Sequence, residues 1–444
     1  MLRTHPLSQV VLTASKTDVF PKILKEKQTL MKILLAQSMS YFVLGGASKA
    51  CRGLVEGLTQ RGHSCAVVTI ENREQLAAEG FKPGRTKGVF ELELGGIKIF
   101  ASESAHEQWR PMREAMRTFD PDWTLVSEHG VMLLISALEA NPSRTVVVAH
   151  SIITHLPTQS ASAVEDQIRV LLRKAAGIIT VSDYMRDYIQ RWSGLDSTVL
   201  HFPSYGASPY THFNNFDSGY VTMVNPCSYK GISIFLSLAE KLPHVKFAAI
   251  PFWGTSAEDH AALERLPNVT MLQPSPNLDD IFGQTKVLLV PSLWGEAYGQ
   301  MVVDAMLRGI PVLASNVGGL PEAKLGVDYV LPVNMIQRYE RDGKKQVQPV
   351  IPEQDVSPWV ETLGRVLTNR TEYERVSLAS RDAALSFVGS LGPVHFERYL
   401  EGLAANRKHE VLLPVTVGDA LRVLPWLSYI APLALLFESL FEVC

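Results

Sequence analysis

The chain is 444 residues long, too long for one ordinary domain, so two or three are expected. With 46% hydrophobic and 20% charged residues, its composition is that of a soluble globular protein. A net charge of −3 gives no reason to expect nucleic acid or a strongly anionic surface as partner, and the four scattered cysteines (Cys51, Cys65, Cys227 and Cys444), with neither CxxC nor metal-like spacing, read as reduced thiols in a cytoplasmic protein.

Residues 1–30 mix polar and apolar types, with Lys22, Lys25 and Lys27 late and no apolar core before a small-residue cleavage site. They read as a poorly ordered extension, not a secretory signal. Met31–Ala36 is the first strand. A loop with Gly45 and Gly46 follows, then a helix with Cys51, Leu54, Val55 and Leu58 on its apolar side and Gly62 as its stop. Further strands are expected at 64–70, 97–101, 123–127, 145–150 and 177–181, with helices between them. Short apolar strands alternating with helices predict a parallel sheet covered on both faces. This half spans residues 31–203.

The stretch His201–Gly219 is rich in Pro, Ser, Asn and aromatics and lacks periodicity, so 204–219 reads as a linker. A second alternating run covers 220–390: strand 220–224, helix 231–241, strand 245–250, a short strand near 269–272, helix 278–284, strand 286–290, helix 300–308, strand 310–314, then helices near 357–368 and 371–388. Within it, residues 331–357 are polar and irregular, with Arg338, Arg341, Lys344 and Lys345, and read as a solvated loop; a lip over a cleft is the alternative. An amphipathic helix with Phe396, Tyr399, Leu400 and Leu403 lies in 391–409 and would return toward the N-terminal domain. The apolar tail 410–444 is broken by Pro425 and Pro432, and Val423–Phe437 is short for a membrane span. Packing on the N-terminal domain or a homodimer contact is its first reading. Peripheral membrane contact is the second, weakened by Arg422 being the lone cation nearby. Two alternating halves joined by a linker imply an α/β fold of two Rossmann-like domains facing each other across a cleft, with ligands at the C-terminal strand ends.

The stretch Pro291–Glu322 stands out as strand end, glycine loop, helix, strand and second glycine loop. A helix N-terminus behind Gly295 and Gly299 leaves backbone N–H groups and the positive end of a dipole for a phosphate. The N–H groups of Tyr298, Gly299, Gln300, Met301 and Val302 would hold it, with Glu296 in the loop and Asp304 in the helix. Gly-x-Gly-x-x-Gly is absent after the first strand, which argues against a dinucleotide oxidoreductase. No Asp-x-Asp pair has flanks suited to a metal–diphosphate bridge; Asp279-Asp280 opens a helix and reads as its cap.

The run Glu296-Ala-Tyr-Gly299, Asp304-Ala-Met, Gly309-Ile-Pro-Val-Leu-Ala-Ser and Gly318-Gly319-Leu-Pro-Glu322 resembles the nucleotide-sugar site of the retaining glycosyltransferases of family four. The likeness extends to Gly45-Gly46, Ile179-Thr180-Val181-Ser182 and Lys230-Gly231, in order over roughly residues 31–405. It implies the GT-B fold and transfer of a sugar, with retention, from a nucleotide-diphosphate sugar (UDP- or GDP-linked) to an acceptor hydroxyl, with no metal and no other cofactor. Glu296 matches the first glutamate of the family's E-x7-E pattern, which contacts donor-sugar hydroxyls. Physically, a carboxylate beside a phosphate-binding helix end accepts hydroxyl hydrogen bonds and favours positive charge developing at the anomeric carbon. Asp304 occupies the second glutamate position, on the nucleotide ribose, one methylene shorter. Lys230 matches a lysine on the donor diphosphate. Asn225 stands where the family usually has arginine and brings a hydrogen-bond donor without charge. Neutralisation would then rest on Lys230 and helix N-termini, or on another cation. Gly45 and Gly46 permit close backbone approach. His150, after Val146–Ala149, matches a histidine beside the donor sugar; His129 and His155 are weaker candidates. A nucleotide-sugar epimerase, a sugar phosphorylase or a non-catalytic binding relative are the alternatives on this architecture.

Overall fold

The computed structural model describes residues 29–42, 45–78, 80–81, 84–86, 89–127, 131–150, 162–341 and 347–406. His129, His155 and the tail 410–444 lie outside them, as does the extension up to residue 28. Both sheets belong to one unit that begins at Met31.

The first half runs β1 (Lys32–Ala36), α1 (Gly46–Gln60), β2 (Ser64–Ile70), α2 (Arg73–Ala78), β3 (Gly84–Thr86), β4 (Val89–Leu94), β5 (Ile97–Ser102), α3 (Trp109–Thr118), β6 (Trp123–Ser127), α4 (Val131–Ala140), β7 (Thr145–Ala149), α5 (Ser162–Lys174), β8 (Gly177–Thr180), α6 (Asp183–Ser193) and β9 (Thr198–Val199). Its sheet has the order β3-β4-β5-β2-β1-β6-β7-β8-β9. The middle is parallel, with Leu34 opposite both Ala66 and Thr124. Every residue of β6 and β7 is buried, as expected of strands covered on both faces.

One edge departs from the all-parallel expectation. β4 runs antiparallel to β5, and β3 antiparallel to β4. The cause is local. Gly95 and Gly96, at φ +56° and +81°, form a two-residue hairpin turn, and Glu91 and Glu93 alternate with apolar residues as a half-wet edge requires.

The second half runs β10 (Tyr220–Val224), α7 (Ile232–Lys241), β11 (Phe247–Ile250), α8 (Ala257–Glu264), β12 (Val269–Met271), α9 (Leu278–Phe282), β13 (Thr285–Val290), α10 (Gln300–Leu307), β14 (Val312–Ser315), α11 (Leu320–Ala323), β15 (Val330–Leu331), β16 (Arg338–Arg341), β17 (Val347–Val350), α12 (Ser357–Thr368), α13 (Arg370–Ser390) and α14 (Pro393–Asn406). Its parallel sheet has the order β12-β11-β10-β13-β14-β15. Trp359 of α12 packs with Ile234, Phe235 and Leu363 in one buried cluster of this half. The face carrying α10 belongs to the same apolar cluster as the N-terminal core. The polar stretch expected as a structureless loop contains a hairpin instead: β16 pairs antiparallel with β17, Tyr339 opposite Pro349.

The chain then crosses back. Glu397 of α14 accepts hydrogen bonds from Arg61 Nη2 (2.8 Å) and contacts His63 Nε2 (3.0 Å). His63 Nδ1 accepts from the Met31 N–H at 3.1 Å, so Nε2 carries the proton that goes to Glu397. Phe396 meets Phe202 edge-on at 4.8 Å.

Candidate active site

The site is built where the C-terminal ends of β10 and β13 meet α10. Gly299 precedes α10 at φ +109°, and a Cβ there would come within 2.7 Å of Leu320 Cδ2. Gly318, at φ +61°, packs so tightly that a Cβ would lie 2.3 Å from the Glu296 backbone N. The Gly319 N–H donates to the Glu296 carbonyl at 2.7 Å. The Gly318-Gly319 loop therefore clamps the backbone of Glu296, while Gly299 packs on α11.

Its side chain is held as firmly. Glu296 Oε1 accepts from Lys230 Nζ at 2.6 Å, Ser292 Oγ at 2.6 Å and Trp294 Nε1 at 3.0 Å. Burial pushes this carboxyl up, but Lys230, Ser292 and Trp294 outweigh it and hold it below the usual glutamate range. The group is an ionised carboxylate with fixed orientation. Lys230 reaches it because the next residue, Gly231, is left-handed at φ +82° and lies where a Cβ would be 1.9 Å from the Pro291 carbonyl oxygen. Its ammonium also sits 5.3 Å from the Trp294 ring. Ser292 and Trp294 escaped the sequence reading. The signal was their place in the same loop as Glu296.

Asn225 is also at the end of β10, but it is committed elsewhere. It is buried, adopts φ +56°, and accepts from the Gly254 N–H at 2.8 Å. Asparagine tolerates this left-handed backbone better than most residues. The side chain fixes the loop after β11 and adds no cation to the site.

Asp304 lies on the buried side of α10, 2% exposed. Its Oδ2 accepts from Lys49 Nζ of α1 at 2.8 Å, and Arg308 Nη1 stands 3.8 Å from Oδ1. Burial raises its carboxyl above the usual aspartate range, against the pull of Lys49 and Arg308. Gly46, at the start of α1, faces Gln300, with 3.7 Å between the position of a glycine Cβ and Gln300 Oε1. The N-termini of α1 and α10 thus face each other across the two halves. Their caps are Gly45 and Gly299, so neither first turn has a side-chain cap. Met301 is partly buried and Val302 fully buried in the core behind α10. Tyr298 packs on His201 at 4.9 Å and Phe387 at 6.0 Å, and burial drives its phenol far above the ordinary range.

His150 sits under α1. Its Nε2 is 3.3 Å from Cys51 Sγ, and its ring packs on Phe202 at 5.1 Å. Burial pushes the Cys51 thiol up to about 12, so the neutral S–H is the form that meets the imidazole.

Further contacts join the halves beside Glu296. Ser182 Oγ donates to the Ala297 carbonyl, and the Asp183 N–H donates to Glu322 Oε2 at 2.9 Å. Glu322 thereby supplies a carboxylate to the N-terminus of α6 from the other half. Burial raises its carboxyl and depresses the neighbouring His201 imidazole, 3.5 Å away. Among the described residues, no group of three or more His, Cys, Asp or Glu could hold a metal ion. Nor is any helix among them long and apolar enough to cross a membrane.

Two Rossmann-like sheets with a glycine-braced helix N-terminus of one facing a helix N-terminus of the other define a GT-B fold. Known proteins agree. The chain matches the family model "Glycosyltransferase Family 4" over residues 44–202 and "Glycosyl transferases group 1" over residues 217–369. It carries the paired domains of a GT-B glycosyltransferase. Sucrose-phosphate synthase from Thermosynechococcus elongatus has the same fold, with TM-score 0.61 and 14% identity over 84% of this chain and 100% of that one. The Anabaena protein HepE, solved with UDP and glucose, gives 0.58 and 15% over 84% of this chain and 99% of its own. A D-inositol 3-phosphate glycosyltransferase of Mycolicibacterium paratuberculosis is 37% identical over 105 residues, 21% of this chain and 23% of that protein. An uncharacterised 42.6 kDa protein of the cps region of Klebsiella pneumoniae is 33% identical over 96 residues, 21% of this chain and 25% of its own. The matched segments span about a quarter of these two curated relatives.

Proposed function

We propose that this chain transfers a sugar, with retention and without a metal, from a nucleotide-diphosphate sugar to an acceptor hydroxyl. The observation that carries the reading is Glu296: an ionised, partly buried carboxylate beside the N-terminus of α10, oriented by Lys230, Ser292 and Trp294. The donor diphosphate would lie on the first-turn N–H groups of α10, which suit an anion. Lys230 is within reach of the same place and would turn from Glu296 to the diphosphate as the donor enters. Glu296 would accept hydrogen bonds from sugar hydroxyls and stabilise the positive charge that develops at the anomeric carbon. Asp304 would take the ribose hydroxyls, and His150 would face the sugar from the N-terminal half. The acceptor hydroxyl would approach from the face of the leaving diphosphate and give its proton to a diphosphate oxygen. Most of the rate enhancement then comes from positioning and electrostatics. The free, buried thiols of Cys51, Cys65 and Cys227 suit a reducing cytoplasm.

The test begins with thermal shift against UDP, GDP, ADP and TDP, since a ligand of the native state raises its apparent stability. UDP or GDP is expected to stabilise the chain. The matching sugar donors are then supplied, nucleoside diphosphate release is measured, and the anomeric configuration of the product is read by NMR. Stabilisation by none of the four, or an inverted product, overturns the reading.

A further inference from the structure

The seam between α1 and α10 holds more polar groups than its own contacts satisfy. Ser48 is fully buried and Asp304 2% exposed. Ser48 Oγ, Gln300 Oε1 and Asp304 Oδ1 are buried and have no hydrogen-bond partner among the described residues. Buried polar atoms left this way are costly unless a ligand meets them. Ser48 and Gln300 belong to the first turns of the two uncapped helices, whose N-termini already favour an anion, and Asp304 follows one turn into α10. One flexible cation stands among them. Lys49 reaches Asp304 with Nζ, keeps 29% of its side chain exposed, and passes 5.7 Å from the Tyr205 ring. The other candidate position, Asn225, is neutral and occupied by Gly254.

We infer that Ser48 and Lys49 are donor-binding residues contributed by the N-terminal half, with Lys49 supplying the diphosphate cation that Asn225 does not. This rests on the donor reading above. When a nucleoside diphosphate enters, Nζ leaves Asp304 for a diphosphate oxygen, and Asp304 is compensated by ribose hydroxyls that donate to it. Ser48 Oγ donates to the same phosphate or to the ribose. An ammonium on a rotatable four-carbon stem suits such an exchange. The donor thereby bridges both halves and strengthens their closure.

The experiment is calorimetric titration of wild type, Lys49→Met, Lys49→Arg and Ser48→Ala with the nucleoside diphosphate that stabilises wild type, and with its parent nucleoside. Loss of one charge-assisted contact predicts that Lys49→Met binds the diphosphate about 10- to 100-fold more weakly. Its affinity for the nucleoside should change less than about threefold, since no phosphate is present. Lys49→Arg should restore most of the loss, and Ser48→Ala should weaken diphosphate binding about threefold to tenfold. Lys49→Gln carries the Lys49→Met expectation if that variant does not fold. Unchanged diphosphate affinity in Lys49→Met overturns the assignment. So does an equal loss for diphosphate and nucleoside, which would make Lys49 a strut between the halves. A wild type that binds none of the four diphosphates overturns the donor reading and this assignment together.

Discussion

Glu296 and Asp304 lie on one loop–helix segment, the first partly and the second fully buried, yet their surroundings differ in kind. Glu296 is held within the C-terminal half, by three donors on one oxygen, and is kept ionised. Asp304 depends on the other half of the molecule for Lys49, keeps one oxygen without a hydrogen bond, and is pushed toward its neutral form by burial. A pre-oriented charge is suited to transition-state stabilisation, because no reorganisation is needed when charge develops. A charge paired across a seam is suited to ligand exchange, because a ligand replaces the partner at small net cost. On the proposed function, the difference would separate chemistry from recognition within a single motif.

The largest way to break this comparison is Glu296→Ala. Transfer should fall by about 10²- to 10³-fold, as for loss of one preorganised electrostatic contact, while the fold is retained. A rate near that of wild type removes Glu296 from the chemistry. Next is Gly318→Ala. The added Cβ would collide with the Glu296 backbone at a left-handed position, so stability should fall by about 1–3 kcal/mol, with activity falling further as the clamp loosens. Denaturant unfolding beside kinetics measures both; an undiminished stability would show that the loop yields freely.

The third prediction concerns pH. A carboxyl whose folded pKa is raised binds its proton more tightly folded than unfolded. Asp304 therefore contributes stability that is lost as pH rises from its unfolded value, about 3.9, through the folded one. Glu296 has the opposite sign: its contribution is lost as pH falls through its depressed folded pKa. Asp304→Asn should gain stability relative to wild type as pH rises from about 4 through the raised folded pKa of Asp304, by up to about 1.4 kcal/mol per unit within the window. A difference constant over that range would contradict the raised pKa. The smallest effect is Trp294→Phe, which removes one of the donors on Glu296. A net hydrogen bond of about 1 kcal/mol predicts a rate loss of about fivefold. Steady-state kinetics checks it, and an unchanged rate would show that Lys230 and Ser292 suffice.

Much of the fold was legible because it is written in local apolar runs. Strands 64–70, 123–127 and 220–224 and helix 357–368 have the bounds their sequences suggest. The antiparallel edge also has a local signal, the period-two run Val89–Leu94 followed by Gly95-Gly96, which differs from the continuous apolar runs of the parallel strands. The hairpin of β16 and β17 left no such trace, since its polar strands pair with each other and not with either main sheet. At the site, the glycine loops and the two carboxylates stand out in the sequence. The partners Lys49 of Asp304 and Asp183 of Glu322 do not, because each pair joins residues from different halves. No local pattern encodes such pairings; they exist only once both sheets are folded and closed.

The central claim is that one carboxylate serves the transition state and the other serves binding. It is tested most directly by the steady-state kinetics of the isosteric variants Glu296→Gln and Asp304→Asn with the donor sugar that wild type uses. The account predicts that Glu296→Gln lowers kcat by about 10²-fold with KM within a few-fold of wild type, whereas Asp304→Asn raises donor KM about tenfold with kcat nearly unchanged. A reversed pattern, or a Glu296→Gln variant with wild-type kcat, would contradict it.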